Sequence, residues 1–208
     1  RVDAPQLVDY AGSLGLPVLR QLLQRRAAML GIDAPMEQIL LTESGTHAVD
    51  LICRFLLKPG DCVLVDDPSY FNYHALLKAH QVQAVGVPYT HAGPDLDAFA
   101  QALQAHTPRL YITNSGLHNP TGAILSASTA HRLLGLAERS ELIIIEDDIF
   151  ADFELHPAPR LAALDGLSRV IHVGSFSKTL SAASRCGYIA ARPEWIEALT
   201  DLKLATSF

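Results

Sequence analysis

Short β-branched runs alternate with longer stretches of helical period along nearly the whole chain, and this alternation restricts the fold more than any other feature. Helices are predicted over Leu16–Leu30, from Ala48 through Phe55 to the break at Lys58-Pro59-Gly60, over Tyr70–His80 and Leu96–Ala105, from an N-cap at Ser126 to Arg139, and from Pro193 onward. Strands are predicted at Ile39–Thr42, Val63–Val65, Val82–Val87, Leu110–Thr113, Leu142–Ile145, Val170–Val173 and Tyr188–Ala191. The implied fold is α/β, a mostly parallel sheet with helices on both faces. With 208 residues, 49% of them hydrophobic, the chain reads as one domain, 1–208, and His156–Pro159 as a surface loop rather than a linker.

Charge narrows the function. Charged residues are 18% of the chain, the formal net charge is −6, and no basic run exceeds Arg25-Arg26, so nothing resembles a nucleic-acid footprint. No apolar stretch approaches the roughly 20 residues of a membrane helix and no leader pattern opens the chain, which makes a cytoplasmic location the default expectation. Cys53, Cys62 and Cys186 stand far apart in apolar company and read as core thiols. The nine histidines include no His-x-x-x-His pair, so no metal is expected.

Ligands of open α/β sheets sit beyond the carboxyl ends of the strands, so the informative residues should follow strand ends. Four clusters do. Ser44-Gly45-Thr46 opens a helix directly after a strand, presenting free amides and a positive dipole end suited to phosphate, with Ser175, Ser177 and Arg185 as further donors. Asn119 lies in the turn-forming Asn119-Pro120-Thr121-Gly122. One of Glu146, Asp147 and Asp148, which end a buried strand, should point inward, where a protonated ring nitrogen would pair with it. Lys178, one of four lysines, follows Val170–Val173 within Ser175-Phe176-Ser177-Lys178. A lysine amine attacks an aldehyde only when deprotonated, a state that burial beside other cations favours. Tyr70 opens a helix past Val63–Val65, where a flat aromatic can stack on a flat ring. Ser-x-x-Lys also marks penicillin-recognising acyl enzymes, but their Ser-Asp-Asn and Lys-Thr-Gly companions are absent, as are Gly-x-Gly-x-x-Gly and P-loop patterns.

These clusters in this order resemble the fold-type I pyridoxal 5'-phosphate (PLP) dependent aminotransferases. The resemblance implies that Lys178 forms an internal imine with PLP, Arg185 binds its phosphate, and Asn119 meets its phenolic oxygen. It likewise implies that Asp147 holds the ring nitrogen, Ser44, Gly45 and Thr46 cradle phosphate, and Tyr70 stacks on the ring. Tyr10 resembles the tyrosine that reaches the neighbouring subunit's phosphate, which implies a homodimer. Within that family, Asp9-Tyr10-Ala11-Gly12, Glu146-Asp147-Asp148-Ile149-Phe150 and Leu164–Ile171 are similar to the effector domains of MocR-type regulators of the GntR superfamily. There a winged helix-turn-helix domain, which would lie outside this chain, contacts DNA, and the PLP domain senses an amine, an amino acid or PLP itself. A free-standing aminotransferase acting between an amino acid and a 2-oxo acid is the other reading. Two departures matter: Phe150 stands near where relatives carry a tyrosine that donates to the phenolic oxygen, and the family's arginine for the substrate carboxylate belongs to a small C-terminal domain beyond Phe208. The expectation is that residues 1–208 alone hold PLP weakly or not at all and show no measurable transamination.

Overall fold

A computed structural model describes residues 12–180 and 185–206. Its strands are β1 (Ile39–Thr42), β2 (Cys62–Asp67), β3 (Gln83–Thr90), β4 (Gly93–Pro94), β5 (Leu110–Thr113), β6 (Ile143–Asp147), β7 (Val170–Ser175) and β8 (Gly187–Ala190). They form one sheet in the order β1-β8-β7-β6-β5-β2-β3-β4. The pairs among β3, β2, β5, β6 and β7 are parallel. β8 runs against both its neighbours, and β4 runs against β3 at the edge. The sheet is therefore mostly parallel, as the alternation implies.

Helices α1 (Pro17–Met29), α4 (Leu96–His106), α5 (Ala127–Arg139) and α6 (Leu161–Asp165) cover one face, and α2 (Gly45–Leu56), α3 (Phe71–Ala79) and α7 (Pro193–Thr206) the other. Alternation along each strand feeds both layers. In β6, Ile144 belongs to the core layer that α5 and α6 cover, whereas Ile145 belongs to the layer that α2 and α3 cover. Each such fully buried side chain contributes about 1.5–3 kcal/mol of burial. Ser126 is the N-cap of α5 and accepts the Thr129 amide at 3.1 Å, as its position before the helical run predicts. α6 and β4, five and two residues long, are too short to leave a period in the sequence.

One close approach positions the site. A β-carbon on Gly187 would lie 2.7 Å from the Ser44 carbonyl oxygen and 2.8 Å from the Gly45 nitrogen, so only glycine lets β8 pass beneath the start of α2. The first turn of α2 is thereby pressed against the carboxyl end of β7, where a β-carbon on Gly45 would be 3.5 Å from that of Ser175. No helix among the described residues is long and apolar enough to cross a membrane.

Candidate functional site

A cavity of about 590 Å³ opens at the carboxyl ends of the parallel strands. Ser44, Gly45, Thr46, Tyr70, Asp147, Ser175, Ser177, Lys178 and Arg185 all line it, although they come from five separate stretches of chain. Tyr10 lies outside the described residues. No group of three or more His, Cys, Asp or Glu side chains is placed to hold a metal among the described residues.

The three consecutive acids have three different fates, set by the pleat of β6. Glu146 turns toward α6, where it accepts the Leu161 and Ala162 amides at 2.7 and 2.9 Å and the Ser115 hydroxyl, capping a short helix with a carboxylate. Asp148 faces the same side and accepts Arg160 Nε at 2.8 Å, with His172 Nε2 at 3.1 Å. Arg160, only 2% exposed, also places Nη2 2.8 Å from Glu154 Oε1. Asp147 alone faces the cavity, receiving the Tyr73 hydroxyl on Oδ2 and the Ile149 amide on Oδ1 at 3.1 Å.

Their electrostatics differ accordingly. Burial raises the Asp147 carboxyl above the ordinary aspartate range, while the Tyr73 hydroxyl and the Ile149 amide pull it back toward ionisation. Burial also raises Glu146. Asp148 is desolvated too, but His172 and Arg160 outweigh that and hold it below the usual range.

Also on the cavity wall, Ser44 caps α2 by accepting the His47 amide at 3.1 Å, and the amides of Gly45 and Thr46, at the positive end of the helix, have no hydrogen-bond partner among the described residues. Ser175 Oγ accepts the Ser177 amide at 3.2 Å and lies 3.0 Å from Ser177 Oγ, so both hydroxyls sit beside that turn. Arg185 joins them with φ at 43°, in the left-handed region that side chains avoid. Lys178 lines the same cavity from a turn in which the Leu180 amide donates to Phe176 O at 3.0 Å. It is exposed, so the burial that the sequence reading asked of a nucleophilic amine is not seen.

Asn119 does not line the cavity; Asn114, at the start of the same loop, does. Its side chain donates to Asp147 O at 3.0 Å and its amide to Asp66 Oδ2 at 3.4 Å. The loop between them is tied down by His118, stacked on Tyr89 at 3.7 Å with its Nε2 3.2 Å from Asp66. Tyr73 and Asn114 are cavity residues that the sequence reading missed. Phe150 also lines the cavity.

The aminotransferase class I and II model matches residues 2–208. The chain belongs to that family. The transcriptional regulator NorG of Staphylococcus aureus (strain bovine RF122 / ET3-1) is 29% identical over 96% of this chain and 45% of its own length. A 2-aminoadipate transaminase of Thermus thermophilus is 32% identical over 94% of this chain and 49% of its own. The chain thus spans about half the length of these relatives. The crystal structure of Pyrococcus horikoshii kynurenine aminotransferase, in complex with PMP, superposes with a TM-score of 0.90 at 27% identity over 99% of this chain and 53% of that one.

PLP is the cofactor of this family, and the cavity fits it by the chemistry of its donors. An amine, a carboxylate with a protein donor on each oxygen, and a first helical turn flanked by two hydroxyls and an arginine match the aldehyde, the ring nitrogen and the phosphate in turn.

Proposed function

We propose that this chain is the PLP-binding effector domain of a MocR-type transcriptional regulator, holding the cofactor through Lys178 and responding to an amine, an amino acid or PLP itself. The observation that carries the cofactor reading is the convergence of Lys178, Asp147 and the α2 turn on one cavity. PLP supplies an aldehyde for an amine and a ring that withdraws electrons from the carbon bearing that amine. In this reading the Lys178 Nζ attaches the cofactor, the Asp147 carboxylate holds a proton on the ring nitrogen, and Tyr70 covers the ring. The amides of Gly45 and Thr46, the hydroxyls of Ser44, Ser175 and Ser177, and Arg185 bind the phosphate. Asn119, carried by the loop that follows β5, meets the phenolic oxygen. Tyr10 of a second copy completes the phosphate site, so the working unit is a cytoplasmic homodimer, with DNA contacted by a domain outside this chain.

Likeness to NorG supports the regulator. Likeness to the 2-aminoadipate transaminase supports a second reading, an enzyme moving an amino group between an amino acid and a 2-oxo acid. Borohydride reduction of the full-length protein with PLP, followed by peptide mass spectrometry, should find the label on Lys178 and none in Lys178→Ala. Equal labelling of that variant overturns the assignment. Catalytic release of a keto acid by the wild type would favour the enzyme; a spectral change with amino acids but no turnover would favour the sensor.

A further inference from the structure

We propose that Tyr73 is the positioning residue for Asp147: by donating its hydroxyl to Oδ2, it aims the carboxylate into the cavity and favours the ionised form. Tyr73 is 5% exposed, and a buried phenol needs an acceptor. The acceptor here is the Asp147 carboxylate, which lines the cavity, and not a backbone carbonyl, which would satisfy the phenol equally well. Among the described residues, the Tyr73 hydroxyl and the Ile149 amide are the donors to the Asp147 side chain, one on each oxygen, and Tyr73 is the only side chain of the two.

The other charged groups near Asp147 act in both directions. Asp148 opposes its ionisation, His172 of β7 supports it, and Asp66 lies beyond Tyr73. None of these is a hydrogen-bond partner of the carboxylate, so the tyrosine is the side chain whose removal changes its immediate contacts. Tyr73 also connects the carboxylate to the rest of the site. Its ring meets Tyr70 edge-on at 5.5 Å, and the Asp147 that accepts its hydroxyl also accepts the Asn114 side chain on its carbonyl at 3.0 Å. One side chain, in the first turn of α3, thus touches both the aromatic ring at the cavity and the carboxylate.

The consequence for the cofactor rests on the reading above, whereas the coupling between Tyr73 and Asp147 does not. The test therefore begins with cofactor-free full-length protein labelled with carbon-13 at the aspartate carboxyls, the Asp147 resonance being identified by its loss in Asp147→Asn. A hydrogen bond to a charged group corresponds to about one to two pH units. Tyr73→Phe should raise the Asp147 midpoint by about one unit. Difluorotyrosine placed at position 73, a stronger donor of nearly the same volume, should lower it. An Asp147 midpoint unmoved by both replacements overturns the proposal. With PLP added, the pH below which binding weakens should rise in Tyr73→Phe by the same amount. If the wild type binds no PLP while the midpoint still moves, the cofactor reading fails and the Tyr73–Asp147 coupling stands.

Discussion

The two faces of β6 carry the same chemistry to opposite ends. On the face toward α6, Glu146 accepts the Ser115 hydroxyl and two amides of α6, and Asp148 is paired with Arg160 and His172. On the face toward α3, Asp147 meets a tyrosine, an amide and the cavity. A buried carboxylate that is paired serves the fold, because removing its partner leaves a stranded charge. A buried carboxylate without a cation remains available to one from outside. Period-two alternation assigns the three acids to these roles with no further device.

The largest expected effect follows from the closed face. Arg160→Met should lower stability by about 3–5 kcal/mol in urea unfolding, since it leaves Asp148 and Glu154 buried beside a thioether. Asp147→Asn should change stability by less than about 1 kcal/mol, because no cation among the described residues is paired with it. With PLP bound, however, it should slow α-proton exchange of an amino acid by orders of magnitude. Equal stability losses in the two variants would erase the distinction between the faces.

Acid titration gives a smaller contrast of opposite sign. Asp148 has a depressed folded pKa, so its stabilisation is complete above the unfolded carboxylate value of about 3.9 and is lost as pH falls through the folded value. Asp147 and Glu146 have raised folded values, so each costs stability above that value and the cost is relieved as pH falls through it. The urea midpoint should therefore hold or rise from pH 7 toward about 4.5 and fall below about 4. In Asp148→Asn the loss below pH 4 should be shallower. An identical acid limb in that variant would mean that the Arg160 network does not govern acid unfolding.

Legibility in the sequence followed the length of each signal. Seven strands announced themselves through β-branched runs, whereas α6 and β4 are shorter than any period that could reveal them. The candidate site was legible where a strand end and a polar cluster coincide, as at Ser44–Thr46 and Ser175–Lys178. Strand alternation could have separated Asp147 from its neighbours, because residues two apart share a face. Asn114 directly follows the β5 run and so satisfied the strand-end rule, a signal that went unread beside the turn motif Asn119-Pro120-Thr121-Gly122. Tyr73 was hidden because a tyrosine inside a helical run looks like core. Its signal was the spacing of one turn from Tyr70. Exposure of Lys178 was not legible, because no local pattern encodes how much of a turn is covered.

The smallest effect probes the open face alone. Phe150 lines the cavity, half-buried, with its ring 6.3 Å from that of Phe153, so a hydroxyl added to it meets the cavity rather than the ion network. In Phe150→Tyr with PLP bound, that hydroxyl would donate to the cofactor's phenolic oxygen and stabilise the negative charge that grows there when the nearby proton leaves. A neutral donor contributes about 1 kcal/mol, so the pH at which the visible absorbance titrates should fall by up to about one unit. Stability should stay within about 0.5 kcal/mol of the wild type, because the change strands no buried group on the closed face. A titration that does not move would place the Phe150 ring away from the phenolic oxygen. A titration that moves together with a large loss of stability would show that the two faces of β6 are not independent.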